Sequence, residues 1–255
     1  LKKLNIVFAP IFCLTSLCLT ATVAESRPVS ESSTAQAVAS NSIAETTPVP
    51  REIDWWISAH NQNVQAVRQG NIDIAFFGDS ITEFMNEDLL HKILGERAKN
   101  LGIKGDRTQH LLWRLQNGEL DFRKQSPKVA VVLIGTNNFD RGRDNDIVQG
   151  VKANLDEIRK RQPPTRILLV GILPRGESAS DKVRKKIIAI NGMLAKLADN
   201  QNIWYADINK KLLEADGSIS QAVMFDYLHP TKEIGYTKMF EALKPEIDKV
   251  IASKH

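Results

Sequence analysis

The sequence predicts an α/β domain, a parallel sheet covered by helices on both sides. Short apolar runs alternate with longer amphipathic stretches, and three of the five runs are almost wholly apolar, as strands buried on both faces must be. The stretches between them repeat apolar residues at helical spacing, so strand and helix follow one another in regular alternation. In order, the expected strands are residues 72–77, 99–101, 129–134, 167–172 and 203–207. A helix opens near Asp106 and stops at Gly118. Ile147, Val151, Leu155 and Ile158 stripe a second, which ends at Pro163-Pro164; Val183, Ile187, Ile190, Leu194 and Leu197 stripe a third. The last stripe, Tyr236, Phe240, Leu243, Ile247 and Val250, is interrupted by Pro245, which is expected to kink or divide that helix.

Composition bounds the class. The 255 residues are 42% hydrophobic and 25% charged with 14 Gly and 10 Pro, which suits a globular core and excludes collagen-like, fully disordered and polytopic membrane chains. The 34 Lys and Arg exceed the 30 Asp and Glu by +4, but the two signs are interspersed, so no nucleic-acid partner is expected.

Lys2 and Lys3 precede an uncharged run from Leu4 to Ala24 whose apolar heart lies between Ile6 and Leu19, the pattern of an export signal. Thr22-Val23-Ala24 before Glu25-Ser26 places cleavage after residue 24, giving a signal peptide over 1–24 and a secreted or periplasmic protein. Asn5, Pro10 and the Ser and Thr from Thr15 onward weigh against a retained membrane anchor, so no stable membrane span is expected after cleavage. Leu17 before Cys18 weighs against a lipoprotein. Cleavage removes Cys13 and Cys18, the only cysteines, and two lysines, lowering the charge to +2. Residues 25–50 hold six Ser, three Thr, four Ala and three Pro and no aromatic, too little apolar surface to offset ordering entropy. They read as a disordered linker, and the domain as 51–255, beginning at the abrupt change near Asp54-Trp55-Trp56.

In a parallel sheet, ligands bind outside the carboxyl ends of the strands. The first strand runs into Gly78-Asp79-Ser80, the second into Gly102-Ile103-Lys104-Gly105-Asp106 and the third into Gly135-Thr136-Asn137-Asn138, while Asp226-Tyr227-Leu228-His229-Pro230 precedes the last helix. Singly these are ordinary turn sequences. In this order they supply the parts of a serine-hydrolase site. Ser80 needs a base to become nucleophilic, and an imidazole titrating near neutral pH, His229, suits. Asp226, three residues earlier, can hold the other ring nitrogen as a donor, and Pro230 is expected at the first position of a following helix, fixing where His229 points. The backbone N–H groups of Ser80 and Gly105 and the side-chain amide of Asn137 are candidate donors to a developing oxyanion.

These blocks resemble the SGNH, or GDSL-type, hydrolase superfamily, and the stretch 100–115, Gly135-Thr136-Asn137-Asn138, Leu173-Pro174-Arg175-Gly176 and Asp226-Tyr227-Leu228-His229 are similar to the catalytic alpha subunits of the platelet-activating-factor acetylhydrolases. The resemblance implies Ser80, Asp226 and His229 as catalytic triad, Ser80, Gly105 and Asn137 as oxyanion hole, and a flavodoxin-like three-layer sandwich with a five-stranded parallel sheet in the order 2-1-3-4-5. It implies no metal and no organic cofactor. It also places Ile81, Thr136 and Leu228 around the acyl group, and all three are bulky or branched, so acetyl or another very short acyl ester is the expected substrate, with an acetylated carbohydrate ranked level with a lipid. Lys104 stands where the similar sequences have glycine.

Other readings are weaker. No Gly-x-Ser-x-Gly elbow and no phosphate-binding glycine fingerprint is present. A non-catalytic carbohydrate- or lipid-binding protein on the same fold is the alternative. Trp55, Trp56 and Trp113 read as packing anchors, His60, His91 and His110 lack metal-ligand spacing, and Asp79 reads as a turn-forming carboxylate supporting the serine loop.

Overall fold

The computed structural model describes residues 44–253. The expected signal peptide over 1–24, with Cys13 and Cys18, and residues 25–43 of the expected linker lie outside the described residues. In chain order the elements are α1 (Asp54–Gln69), β1 (Ile74–Gly78), α2 (Ser80–Glu83), α3 (Glu87–Leu94), β2 (Ala98–Asn100), α4 (Thr108–Arg114), β3 (Val129–Leu133), α5 (Asp144–Arg161), β4 (Arg166–Val170), α6 (Lys182–Leu194), β5 (Ile203–Ala206) and α7 (Gly235–Ala252). All strand pairs are parallel and their order is β2-β1-β3-β4-β5.

Alternation along the strands divides the core into two layers. Ile74 and Phe76 of β1, Val129, Val131 and Leu133 of β3 and Leu168 and Val170 of β4 pack with Leu90 of α3 and Tyr236, Phe240, Leu243 and Ile247 of α7. Ala75 and Phe77, Ala130 and Val132, Ile167 and Leu169 face the other way, against α1, α4, α5 and α6. This is the flavodoxin-like sandwich. Ile147, Val151, Leu155 and Ile158 are fully buried, and α5 ends at Arg161, just ahead of Pro163-Pro164. In α1, Trp56, His60, Val64 and Val67 form the buried stripe.

Two expectations are corrected and a third is narrowed. Residues 44–50, assigned by composition to the linker, pack on the domain: Glu45 is buried, its carbonyl accepts a hydrogen bond from Thr108 Oγ1 at 3.1 Å, and Val49 N–H donates to Gln109 O at 3.3 Å. Backbone groups hold this strap, so its apolar content is a poor guide. Of the two outcomes expected at Pro245, division does not occur: α7 continues through it, because the buried stripe on both sides outweighs one lost helical hydrogen bond. Pro230 does not begin α7, which starts at Gly235; it forms an isolated antiparallel bridge with Met224 instead.

Candidate active site

Everything proposed as chemistry stands at the carboxyl ends of the strands. β1 closes on Gly78, where any Cβ would collide with the Thr82 hydroxyl and the Leu133 carbonyl. The chain then turns through Asp79, whose Oδ1 accepts the Ile81 N–H at 3.0 Å and caps the short α2 that carries Ser80. Asp79 is buried, and burial pushes its carboxyl up to about 7.

Ser80 Oγ lies 2.8 Å from His229 Nε2, and His229 Nδ1 lies 2.7 Å from Asp226 Oδ2. With Nδ1 donating to the carboxylate, Nε2 is left as the acceptor for the serine hydroxyl. The other oxygen of Asp226 accepts the backbone N–H groups of His229 at 2.7 Å and Leu228 at 3.1 Å. Burial pushes the Asp226 carboxyl up, but these donors outweigh it and hold the group below the usual carboxylate range, so it is ionised at neutral pH.

The three-residue spacing works because the chain doubles back between acid and base. Tyr227 has φ +59°, a left-handed conformation uncommon outside glycine. Around it, Phe225 N–H donates to His229 O at 3.2 Å and Thr231 N–H to Val223 O at 2.8 Å. The Tyr227 carbonyl accepts the Gly176 N–H at 3.0 Å, which ties this loop to the one after β4. The rings of Phe84 and Phe225 stand 5.3 and 5.8 Å from the imidazole.

The donors implied for the oxyanion come from the next two loops. Gly105 has φ +75°, a left-handed backbone state that glycine adopts without steric cost. Asn137 Nδ2 donates one hydrogen to the Asp106 carbonyl at 2.9 Å, which orients the amide and leaves its second hydrogen for a substrate. Arg107 Nε donates to Asn137 O at 2.9 Å, and Asn138 Oδ1 accepts the Thr108 N–H at 3.0 Å, sewing the two loops together. Gly105, Thr136 and Asn137 line an open cleft of about 470 Å³ together with Arg107, Arg175 and Val183. Of the three residues expected around the acyl group, Thr136 lines this cleft, whereas Ile81 is buried in the core and Leu228 packs partly buried against it. Lys104 leans away over Trp55, its Nζ 5.0 Å from the ring centroid, and Arg51 shares the same ring at 5.1 Å. Among the described residues, no group of three or more His, Cys, Asp and Glu side chains is arranged to hold a metal ion.

Beneath the oxyanion loop lies a buried ionic network that the sequence reading missed. Arg114, fully buried, donates to Asp106 Oδ2 at 2.7 Å, Glu119 Oε2 at 2.5 Å, the Leu101 carbonyl at 2.9 Å and the Gly78 carbonyl at 3.0 Å. Trp56 Nε1 donates to Asp106 Oδ1 at 2.6 Å, and His60 Nδ1 pairs with Glu119 Oε1 at 2.9 Å. Burial pushes the Asp106 carboxyl up to about 6, against the pull of Arg114 and Trp56. One guanidinium thus holds the ends of β1 and β2 and the residue after Gly105. Nothing in the spacing of Trp56, Arg114 and Glu119 signals this, because the contacts join three separate elements.

Comparisons with known proteins agree with the geometry. Residues 76–236 match the GDSL-like lipase/acylhydrolase family. The chain is 38% identical over 193 residues to the platelet-activating factor acetylhydrolase IB subunit alpha2 of Rattus norvegicus, covering 74% of this chain and 82% of that one. A GDSL-like lipase from Bacteroides thetaiotaomicron superposes with a TM-score of 0.61 at 19% identity over 76% of this chain and 97% of its own. A variant of an acetyl-xylooligosaccharide esterase from Geobacillus does so with a TM-score of 0.54 at 17% identity, over 72% and 96% respectively. The chain belongs to the GDSL-like lipase/acylhydrolase family of carboxylic-ester hydrolases.

Proposed function

We propose that the protein is a serine esterase that removes acetyl or other very short acyl groups through an acyl-enzyme on Ser80, acting outside the cytosol on an acetylated carbohydrate or lipid. The observation that carries this reading is the pair of contacts at Ser80 Oγ–His229 Nε2 and His229 Nδ1–Asp226 Oδ2, 2.8 and 2.7 Å long. As Oγ attacks the ester carbonyl carbon, its proton passes to Nε2, and Asp226 stabilises the imidazolium that results. The carbonyl oxygen gains the negative charge and is met by the N–H groups of Ser80 and Gly105 and the free amide hydrogen of Asn137. Collapse breaks the bond to the alcohol oxygen, which leaves with the proton from His229. Water then attacks the acyl carbon with His229 again as base, releasing the acid and restoring Ser80.

The short-acyl preference rests on Ile81, Thr136 and Leu228, which the family resemblance places around the acyl group and which are all bulky or branched. Two of the proteins it resembles are named for acetyl-ester hydrolysis, one a platelet-activating factor acetylhydrolase and one an acetyl-xylooligosaccharide esterase. Export rests on the Lys2-Lys3 and apolar pattern of the first 24 residues. Hydrolysis of para-nitrophenyl esters from acetate to octanoate tests the acyl preference: kcat/KM should be highest for acetate and fall with each added chain length, and faster turnover of octanoate would overturn it.

A further inference from the structure

The cleft beside the oxyanion donors carries two guanidinium groups in different states. Arg107 is satisfied: Nε donates to Asn137 O at 2.9 Å and Nη2 pairs with Asp140 Oδ2 at 2.8 Å. Arg175 is not. Its only hydrogen bonds among the described residues, from Nη1 to the Thr136 carbonyl and hydroxyl, are both 3.4 Å long, beyond ordinary N–H···O distance. Among the described residues no carboxylate lies within ion-pair distance of it, although the chain has 30 acids. Asp140, the carboxylate in the cleft wall, is engaged elsewhere, with Arg107 and Arg141. A half-buried arginine with most of its five donors idle is a poor structural element, since its partial desolvation is not offset by partners.

Its position gives the idle cation a use. Arg175 follows β4, and the next residue, Gly176, donates its N–H to the carbonyl of Tyr227, between Asp226 and His229. Its guanidinium touches Thr136, the residue before Asn137, and lines the cleft with Gly105 and Asn137. With its carbonyl oxygen among the oxyanion donors and an acyl group no longer than acetyl beside Thr136, an ester has only its alcohol half long enough to extend through this cleft to that fork. Guanidinium binds carboxylate and phosphate oxygens in bidentate fashion, and a partly desolvated pair is worth more than an exposed one.

We propose that Arg175 binds an anionic substituent, a carboxylate or phosphate, on the alcohol half of the substrate, so that the enzyme selects acidic acetyl esters over neutral ones. This rests on the esterase reading and narrows its substrate class.

The test compares kcat/KM for para-acetoxybenzoate, para-acetoxyphenyl phosphate and neutral para-acetoxybenzamide, each normalised to its hydroxide-catalysed rate. The full chain should favour at least one anion over the amide by about tenfold, the equivalent of one charge-assisted contact of about 1.4 kcal/mol, mostly through KM. The better of the two anions identifies carboxylate or phosphate as the group in question. In Arg175→Gln the anion-to-neutral ratio should fall to about one, while Arg175→Lys should keep part of it. The readout is a ratio within each variant, so a general loss of activity does not mimic it. If Arg175→Gln fails to fold, salt decides: raising ionic strength from about 0.05 M to about 1 M should shrink the wild-type ratio towards one. A wild-type ratio near one, a ratio that survives Arg175→Gln, or one insensitive to salt overturns the proposal. Loss of all three reactions together with para-nitrophenyl acetate hydrolysis would instead reject the esterase reading itself.

Discussion

The chemistry of single residues here is a matter of which groups keep a free hydrogen or lone pair. Asn137 offers its second amide hydrogen only because the Asp106 carbonyl takes the first. Asn137→Ala is therefore expected to lower kcat by about 10²–10³ with little change in KM, since the lost donor acts mainly on the transition state. Steady-state kinetics on para-nitrophenyl acetate check this, and a change confined to KM would contradict it. Asp226→Asn removes the ionised acceptor at His229 Nδ1 and allows the wrong tautomer, so kcat should fall by about 10⁴ while KM is retained. These residues were legible in the sequence for a physical reason: each follows a strand or stands beside its partner, where chain order alone determines the neighbourhood. Arg114 was not, because its partners Gly78, Leu101, Asp106 and Glu119 come from the end of β1, the loop between β2 and α4, and the turn after α4, and no local spacing links them.

Elements were legible to the extent that burial alone fixed them. The runs in β1, β3 and β4 are apolar on both faces because both faces are covered, and the α5 and α6 stripes match their buried sides. Where backbone contacts decide, the sequence misled, as at Pro230, held in a bridge with Met224, and at the 44–50 strap. The joint between elements is the Arg114 network, and its two ends should differ in cost. Arg114→Met leaves Asp106 and Glu119 buried without their cation and should destabilise the fold by about 3–5 kcal/mol. Trp56→Phe removes a single donor to Asp106 and should cost about 1–3 kcal/mol. Urea unfolding of the two variants orders them, and equal small losses would contradict a structural role for the ion network.

For the whole molecule, the buried carboxyls set how stability varies with pH. Asp79 is raised from an ordinary 3.8 to about 7 by burial, so between those values the native state keeps a proton that the unfolded chain has released. Stability therefore falls as pH rises through that window and levels off above it. Asp106, raised to about 6, acts in the same direction. Asp79→Asn keeps the acceptor for the Ile81 N–H without the charge, so it should gain a few kcal/mol at pH about 8 and flatten, though not abolish, the slope. Thermal unfolding from acid to mildly alkaline pH reads this, and parallel curves for wild type and variant would contradict it. The central claim, that Ser80 is the nucleophile of an esterase, is tested most directly by reacting the protein with a fluorophosphonate and locating the adduct by mass spectrometry. One adduct on Ser80, with labelling and acetate-ester hydrolysis both lost in Ser80→Ala, is the predicted result; labelling that persists in Ser80→Ala would contradict it.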